Sequence, residues 1–265
     1  MAVILGILQG ITEWLPISSS GHLAIIQHYS GEEPPILYDI ILHLGSLVVI
    51  LYIMRQEVVE IIGAIPTTFK NLRDKVELED NDRIVMMIII ASVPTALLGL
   101  FFEGEIINKF YDEMYLVGLC LIFTGAIMWS CKNYNSSMHT NDFSYKNTFY
   151  VGLIQGLSIL PGISRSGTTI ALSKILGLDR MRAARFSFLL FIPAILGATL
   201  LKFGEAERTL DEVGRSSLIL GFCFSIISSF LSIKLLLRLI EKQQFHYFSP
   251  YCFFVGFFLI FETLI

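Results

Sequence analysis

One broken apolar stretch occurs twice in this chain, and a simple bundle of membrane-crossing helices does not accommodate it. Gly6–His22 reads GILQGITEWLPISSSGH, and sliding the chain by 146 residues sets Gly152–Thr168, GLIQGLSILPGISRSGT, beneath it. Without a gap, Gln9, Gly10, Ile17, Ser18, Ser20 and Gly21 meet Gln155, Gly156, Ile163, Ser164, Ser166 and Gly167. A proline sits at each bend one place apart, Pro16 and Pro161. So many special residues in register identify an internal duplication. In each copy an apolar piece of about ten to twelve residues precedes the Pro/Ser/Gly break and another follows it. At 1.5 Å per residue each piece covers about half a bilayer. Irregular backbone at that depth is tolerated only where protein or a wet cavity satisfies its polar groups. Residues 2–30 and 147–180 are therefore expected to be re-entrant hairpins that turn near the midplane and leave by the side they entered.

The remaining sequence sets those hairpins in a membrane. With 54% hydrophobic residues, 16% charged and a mean hydropathy of +0.67, the chain is far more apolar than an average soluble domain. Apolar runs long enough to cross a hydrocarbon core are read near 36–54, 84–102, 114–131, 184–203, 216–237 and 247–263. The fold class is thus an all-α polytopic membrane protein, a single membrane domain over 1–265. Each half, 1–131 and 147–265, carries one hairpin and three spans. An odd number of crossings turns the second copy upside down, which makes the halves an inverted repeat. On that topology one side collects Arg55, Lys70, Arg73, Lys75, Arg83, Lys132, Lys146, Lys174, Arg180, Arg182, Arg185, Arg238 and Lys242, and the other only Lys109, Lys202, Arg208 and Arg215. The rich side is expected in the cytoplasm, both termini outside the cell membrane, and the site open to the outside. Arg180, Arg182 and Arg185 could also meet lipid head groups.

Several classes drop out. The net charge of −4 argues against a nucleic-acid partner. Cys120, Cys131, Cys223 and Cys252 have no metal-ligand spacing and read as small core residues. The N-terminus has no basic region or small-residue cleavage site, so it reads as part of the fold and not as a signal peptide. Residues 66–83 and 132–147 mix charges with turn formers and read as solvated cytoplasmic loops.

Chemistry concentrates at the bends. A helix that starts near the midplane offers unpaired N–H groups and the positive end of its dipole, a seat for phosphate. Ser18, Ser19 or Ser20 can cap one such helix, and Ser164 or Ser166 the other. Gly21 and Gly167 permit close backbone approach, and Arg165 supplies a bidentate donor. An unpaired arginine at that depth costs at least ~2.5–3.5 kcal/mol, so it needs an anion, either a ligand or Glu13. Gln9 and Glu13, four apart on one helix face, are hard oxygen ligands suited to Mg²⁺ or Ca²⁺ shared with substrate phosphate. His22 lies three residues past Ser19, where a catalytic pair and a structural histidine are both open readings. Asp39 and His43, also four apart, either line the entrance or pair structurally.

QGITE (Gln9–Glu13) with PISSSGH (Pro16–His22), and PGISRSGTT (Pro161–Thr169), resembles the BacA-type undecaprenyl-pyrophosphate phosphatase family, as does LYDIILHLGSL (Leu37–Leu47). The resemblance covers nearly the whole chain. It implies a membrane enzyme that removes the terminal phosphate of a polyprenyl pyrophosphate lipid and so recycles the carrier of cell-envelope synthesis. Gln9 and Glu13 then correspond to the acidic motif, with Gln9 as its amide alternative, which weakens a two-carboxylate metal site. Ser19 and His22 correspond to the catalytic Ser/His, and Ser164, Arg165 and Thr169 to the phosphate-binding motif. The implied catalytic set is Glu13, Ser19, His22 and Arg165. Ser18, Ser20, Gly21, Ser164, Ser166, Gly167 and Thr169 surround the substrate, and a divalent ion sits on Gln9 and Glu13. With eight residues ahead of Gln9, the longer N-terminal extension of some relatives is expected to be absent. The same architecture serves transporters, so a lipid-phosphate flippase or small-anion carrier is the rival reading. Membrane lipids are the expected surroundings, and a homodimer is left open.

Overall fold

Pro16 ends the first helix, because a residue ahead of proline is disfavoured in helical backbone. In the computed structural model, which describes residues 1–31, 34–134 and 137–263, helix α1 (Ala2–Trp14) stops there and Leu15 is extended at ψ 136°. The chain restarts at Ser18, whose hydroxyl caps α2 (Ser19–Ser30) by accepting the Gly21 N–H at 3.2 Å. Then come α3 (Ile36–Ile53), α4 (Arg55–Asp74), α5 (Asp80–Phe102), α6 (Glu105–Asp112) and α7 (Met114–Ser130). The second half holds α8 (Tyr145–Leu157), α9 (Arg165–Ile175), α10 (Arg180–Lys202), α11 (Ala206–Val213), α12 (Arg215–Glu241) and α13 (Ser249–Thr263). Ser164 caps α9 through the Gly167 N–H at 3.1 Å, as Ser18 does for α2.

Six helical segments among the described residues are long and apolar enough to cross a membrane: Ile36–Ile53, Asp80–Phe102, Met114–Asn133, Arg180–Val213, Arg215–Glu241 and Phe245–Thr263. They coincide with the six runs expected from sequence, and the protein is an all-α polytopic membrane protein. The paired short helices α1/α2 and α8/α9 hold 13, 12, 13 and 11 residues, each too short to span alone. Residues 135–136, within the stretch 132–147, and 264–265, at the end of the second half, lie outside the described residues.

Packing couples the halves. α1 lies along α12 and α8 along α5, while α7 meets α13 and α3 meets α10. The first two contacts are made by the duplicated glycines, as expected where small residues let membrane helices approach closely. A Cβ at Gly10 would fall 2.5 Å from the Ser225 carbonyl oxygen and 2.7 Å from the Ser229 nitrogen. One at Gly152 would fall 2.6 Å from Ala91 Cα, and one at Gly156 2.7 Å from Leu98 Cβ. Gly10→Ala is therefore expected to destabilise by about 1–3 kcal/mol through overpacking, read as a lower midpoint of thermal unfolding in detergent. Gly63→Ala is the control: it sits in α4 with open space around it and should be neutral or slightly stabilising. Equal midpoints for the two variants would contradict this packing.

The stretch 66–83 departs from the expected loop. α4 continues through Pro66 to Asp74, and α5 begins at Asp80. Tertiary contacts hold the helix past the proline: Asp82 accepts hydrogen bonds from Thr68 Oγ1 at 2.7 Å, Thr67 Oγ1 at 3.3 Å and Asn71 Nδ2 at 2.8 Å. A sequence reading weighs Pro66 as a breaker and does not see the carboxylate that pins the next turn.

Candidate active site

The two bends touch. Ser18 has a positive φ of 71°, uncommon for a non-glycine residue. Its hydroxyl accepts the Gly162 N–H from the other bend at 3.1 Å. A Cβ on Gly21 would lie 2.9 Å from both Cα and N of Gly162. In the opposite direction, Ser166 Oγ lies 3.3 Å from the carbonyl oxygens of Glu13 and Trp14, bringing the start of α9 against the end of α1.

Glu13 is the hub at this junction. Its side chain is 4% exposed, and its Oε1 receives Arg165 Nη2 at 2.8 Å. Its Oε2 receives the Ser19 hydroxyl at 2.7 Å and lies 3.0 Å from His43 Nε2 and 3.3 Å from Gln9 Nε2. A buried carboxylate needs this much pairing, because charge is costly away from water unless hydrogen-bonded and countered. Arg165 is held from behind by aromatic faces, with its guanidinium carbon 4.2 Å from the Phe191 ring centre and 5.6 Å from that of Trp14. Its Nη1 also donates to the Ser187 carbonyl at 3.3 Å. Two of the five N–H groups of the guanidinium are so engaged, which leaves donors for an anion.

His22 lies apart from the hub. Its Nδ1 donates to the Ser18 carbonyl one turn back at 2.8 Å, and its Nε2 accepts from the Tyr251 hydroxyl at 2.7 Å. The rings of His22 and Tyr251 stack at 5.7 Å. The expected Ser19/His22 pair is therefore not formed here, and the imidazole beside Ser19 is His43, with Nε2 at 3.2 Å. The bond from Nδ1 to its own helix turns the His22 ring toward α13. Tyr251 carries no signal in the sequence, since it follows His22 by 229 residues. His43 carried a faint one, the Asp39/His43 spacing inside an apolar run.

Most of the remaining hydroxyls hold the bends together. Ser164 Oγ caps α9, and the Ser164 N–H donates to Thr124 Oγ1 at 3.0 Å. Thr169 Oγ1 donates to the Arg165 carbonyl at 2.7 Å and lies 2.6 Å from Ser187 Oγ. Ser20 Oγ is 3.4 Å from Ser18 Oγ. A Cβ on Gly167 would meet Ser164 Oγ at 2.9 Å and Pro16 Cβ at 3.2 Å, so this glycine, like Gly21, serves close packing. Asp39 is buried and accepts from Gln27 Nε2 at 2.9 Å.

The donor chemistry around Gln9 bears on a divalent ion. Gln9 is fully buried, and its Oε1 lies 2.6 Å from Ser225 Oγ. Ser225 has one proton, and its hydroxyl is also 2.7 Å from the Leu42 carbonyl, which can only accept. Exchanging the amide's oxygen and nitrogen, which have the same shape, lets Gln9 donate to Ser225 and Ser225 donate to Leu42. The amide oxygen then faces Glu13 Oε2 at the 3.3 Å now assigned to the nitrogen, a pairing of acceptors that a cation satisfies. No group of three or more His, Cys, Asp or Glu is arranged to hold a metal among the described residues. The residues thus fit an ion held by one carboxylate and one amide oxygen, with substrate phosphate and water completing the shell, as Mg²⁺ commonly is.

Comparison with known proteins gives the family. The sequence profile described as "Bacitracin resistance protein BacA" matches residues 2–258. The chain belongs to the BacA family. It is similar to a protein of Methanobrevibacter smithii named undecaprenyl-diphosphatase, 38% identical over 261 residues that cover 96% of this chain and 94% of the relative. A protein of the same name from Desulfosudis oleivorans is 38% identical over 266 residues, with 96% and 94% covered. Another from Alkaliphilus metalliredigens is 36% identical over 271 residues, with 100% and 98% covered. The BacA match includes both bends and every residue of the hub.

Proposed function

We propose that this BacA-family chain is an undecaprenyl-diphosphatase, which hydrolyses a polyprenyl pyrophosphate to the monophosphate carrier lipid and inorganic phosphate. The observation that carries the reading is the Ser19 hydroxyl, 2.7 Å from a buried carboxylate that also holds Arg165 at the contact of the two bends. Phosphoryl transfer demands mainly positioning and stabilisation of charge on the phosphoryl oxygens. The spare donors of Arg165 and the N-terminus of α9 supply that charge complement. Ser19 Oγ attacks the terminal phosphorus and passes its proton to Glu13. The bond to the bridging oxygen breaks, and polyprenyl monophosphate leaves. One water then cleaves the Oγ–P bond, releasing phosphate and returning the proton to Ser19. A divalent ion on Glu13 and Gln9 would neutralise phosphate charge when bound. His22, bonded to Tyr251, closes the site on the α13 side.

A flippase or small-anion carrier would use Arg165 and the helix ends but needs no base beside a serine, so the Ser19–Glu13 contact favours hydrolysis. The deciding test is phosphate release from undecaprenyl pyrophosphate by the detergent-solubilised protein; binding without release would sink the enzyme reading. Chelation of divalent ions is expected to slow release at least about tenfold, with recovery on adding Mg²⁺ or Ca²⁺. Activity indifferent to chelator would remove the ion from the site.

The exchange of partners between α1/α12 and α8/α5 supports two inverted halves, 1–131 and 147–265, in one membrane domain. The excess of Lys and Arg on one side supports cytoplasmic loops there, both termini outside the cell membrane, and a site open outward.

A further inference from the structure

We propose that His43, to which the family resemblance gave no role, is the positioning residue that fixes the Ser19 hydroxyl for attack; the proposal rests on the phosphatase reading above. Three polar atoms close a triangle: Ser19 Oγ to Glu13 Oε2 at 2.7 Å, Glu13 Oε2 to His43 Nε2 at 3.0 Å, and His43 Nε2 to Ser19 Oγ at 3.2 Å. His43 is the rigid corner. Its Nδ1–H donates to the Asp39 carbonyl at 2.7 Å, which fixes the ring on α3, and its side chain is only 15% exposed.

Ser19 needs such a corner. A serine that opens a helix has three staggered positions for its hydroxyl. Contact with Glu13 alone leaves the oxygen one tether about which to move. A second contact, from a different helix, selects one position. The other groups of the hub are committed, Arg165 to the other carboxylate oxygen and Gln9 toward Ser46 and Ser225, and His22, apart from the hub, is bonded to Ser18 and Tyr251. Among the described residues, His43 is the one that hydrogen-bonds Ser19 from a spanning helix. The contact also ties α2 to α3, although the chain separates the two residues by 24 positions.

The role is hydrogen bonding, so it is separable from the imidazole itself. Glutamine places its Nε2 about where histidine does, whereas leucine fills the space without a polar atom. In detergent, with undecaprenyl pyrophosphate as substrate, His43→Leu is expected to lower kcat about 100-fold with KM within about twofold, the scale of a nucleophile misplaced by about 1 Å. His43→Gln should restore kcat to within about tenfold of the unsubstituted protein. Because the two residues act as a unit, Ser19→Ala with His43→Leu should be no slower than Ser19→Ala alone. Thermal midpoints measured on the same samples separate a misfolded His43→Leu protein from a slow one, and the glutamine variant keeps the test alive if leucine does not fold. A His43→Leu protein within threefold of full kcat, one that changes KM alone, or a glutamine variant as slow as leucine would each overturn the proposal. A native protein that releases no phosphate would instead overturn the phosphatase reading on which it rests.

Discussion

Glu13→Gln is expected to slow phosphate release by about 10³-fold or more while leaving a protein that still inserts and can be purified. General-base help alone contributes about 10²–10⁴-fold, and this carboxylate is the only one within hydrogen-bonding distance of the Ser19 hydroxyl in the described structure. The substitution preserves size and some hydrogen bonding. It removes the proton acceptor and the counter-charge of Arg165 together. Breaking a buried pair by neutralising one partner costs about 3–5 kcal/mol, so a lower unfolding midpoint is expected with the lost activity. Addition of phosphate should recover part of the midpoint, because an anion can replace the missing charge beside Arg165. Full-rate turnover by Glu13→Gln would remove this residue from the mechanism, and the measurement needs only phosphate release and a melting curve on one preparation.

Much of this site was legible because the chain repeats itself. The duplication locates both bends, Pro16 fixes where α1 stops, and the serine clusters announce caps for α2 and α9, which the structure gives to Ser18 and Ser164. The copies diverge at Glu13/Ile159, Ser19/Arg165 and His22/Thr168 in the gapless alignment, which is where the chemistry was expected; the structure brings the first two pairs' Glu13, Ser19 and Arg165 together and leaves His22 aside. An arginine at a membrane bend demanded an anion, and the structure supplies Glu13 at 2.8 Å. Contacts between distant elements were not legible. His43 and His22 are both histidines near serines in an apolar setting, and sequence proximity favoured His22 as the partner of Ser19. The choice is made by side-chain direction, since each ring bonds through Nδ1 to the carbonyl four residues back and is thereby aimed. Neither Tyr251 nor Ser187 offered a pattern to read. The serines of α12, Ser225, Ser228, Ser229 and Ser232, did interrupt an apolar run, but only the fold reveals that Gly6 and Gly10 seat α1 on them and that Ser225 reaches Gln9. Likewise Pro66 is tolerated in α4 because Asp82 holds the turn beyond it.

Arg165 carries the second large effect, and its two possible duties can be separated. If it served only as counter-ion to Glu13, a lysine would largely suffice, because a point charge beside a carboxylate is enough. Phosphate recognition asks more: a planar fork of donors, stacked on Phe191 and Trp14, with N–H groups to spare after Glu13 and Ser187 are served. Arg165→Lys is therefore expected to lose about 10²-fold or more in kcat/KM and Arg165→Ala more still, each with a raised KM, since the interaction serves bound substrate as well as the transition state. The double variant Glu13→Gln with Arg165→Met makes the distinction. It removes both buried charges, so its unfolding midpoint should rise above that of Glu13→Gln alone, as replacing a buried ion pair by apolar volume is often neutral or stabilising. Its activity should stay at the floor. Recovery of stability without recovery of phosphate release would mean that the ion pair is kept for chemistry. Recovery of both would show that Arg165 only neutralises Glu13, and an Arg165→Lys protein near full kcat/KM would show the same in a single substitution.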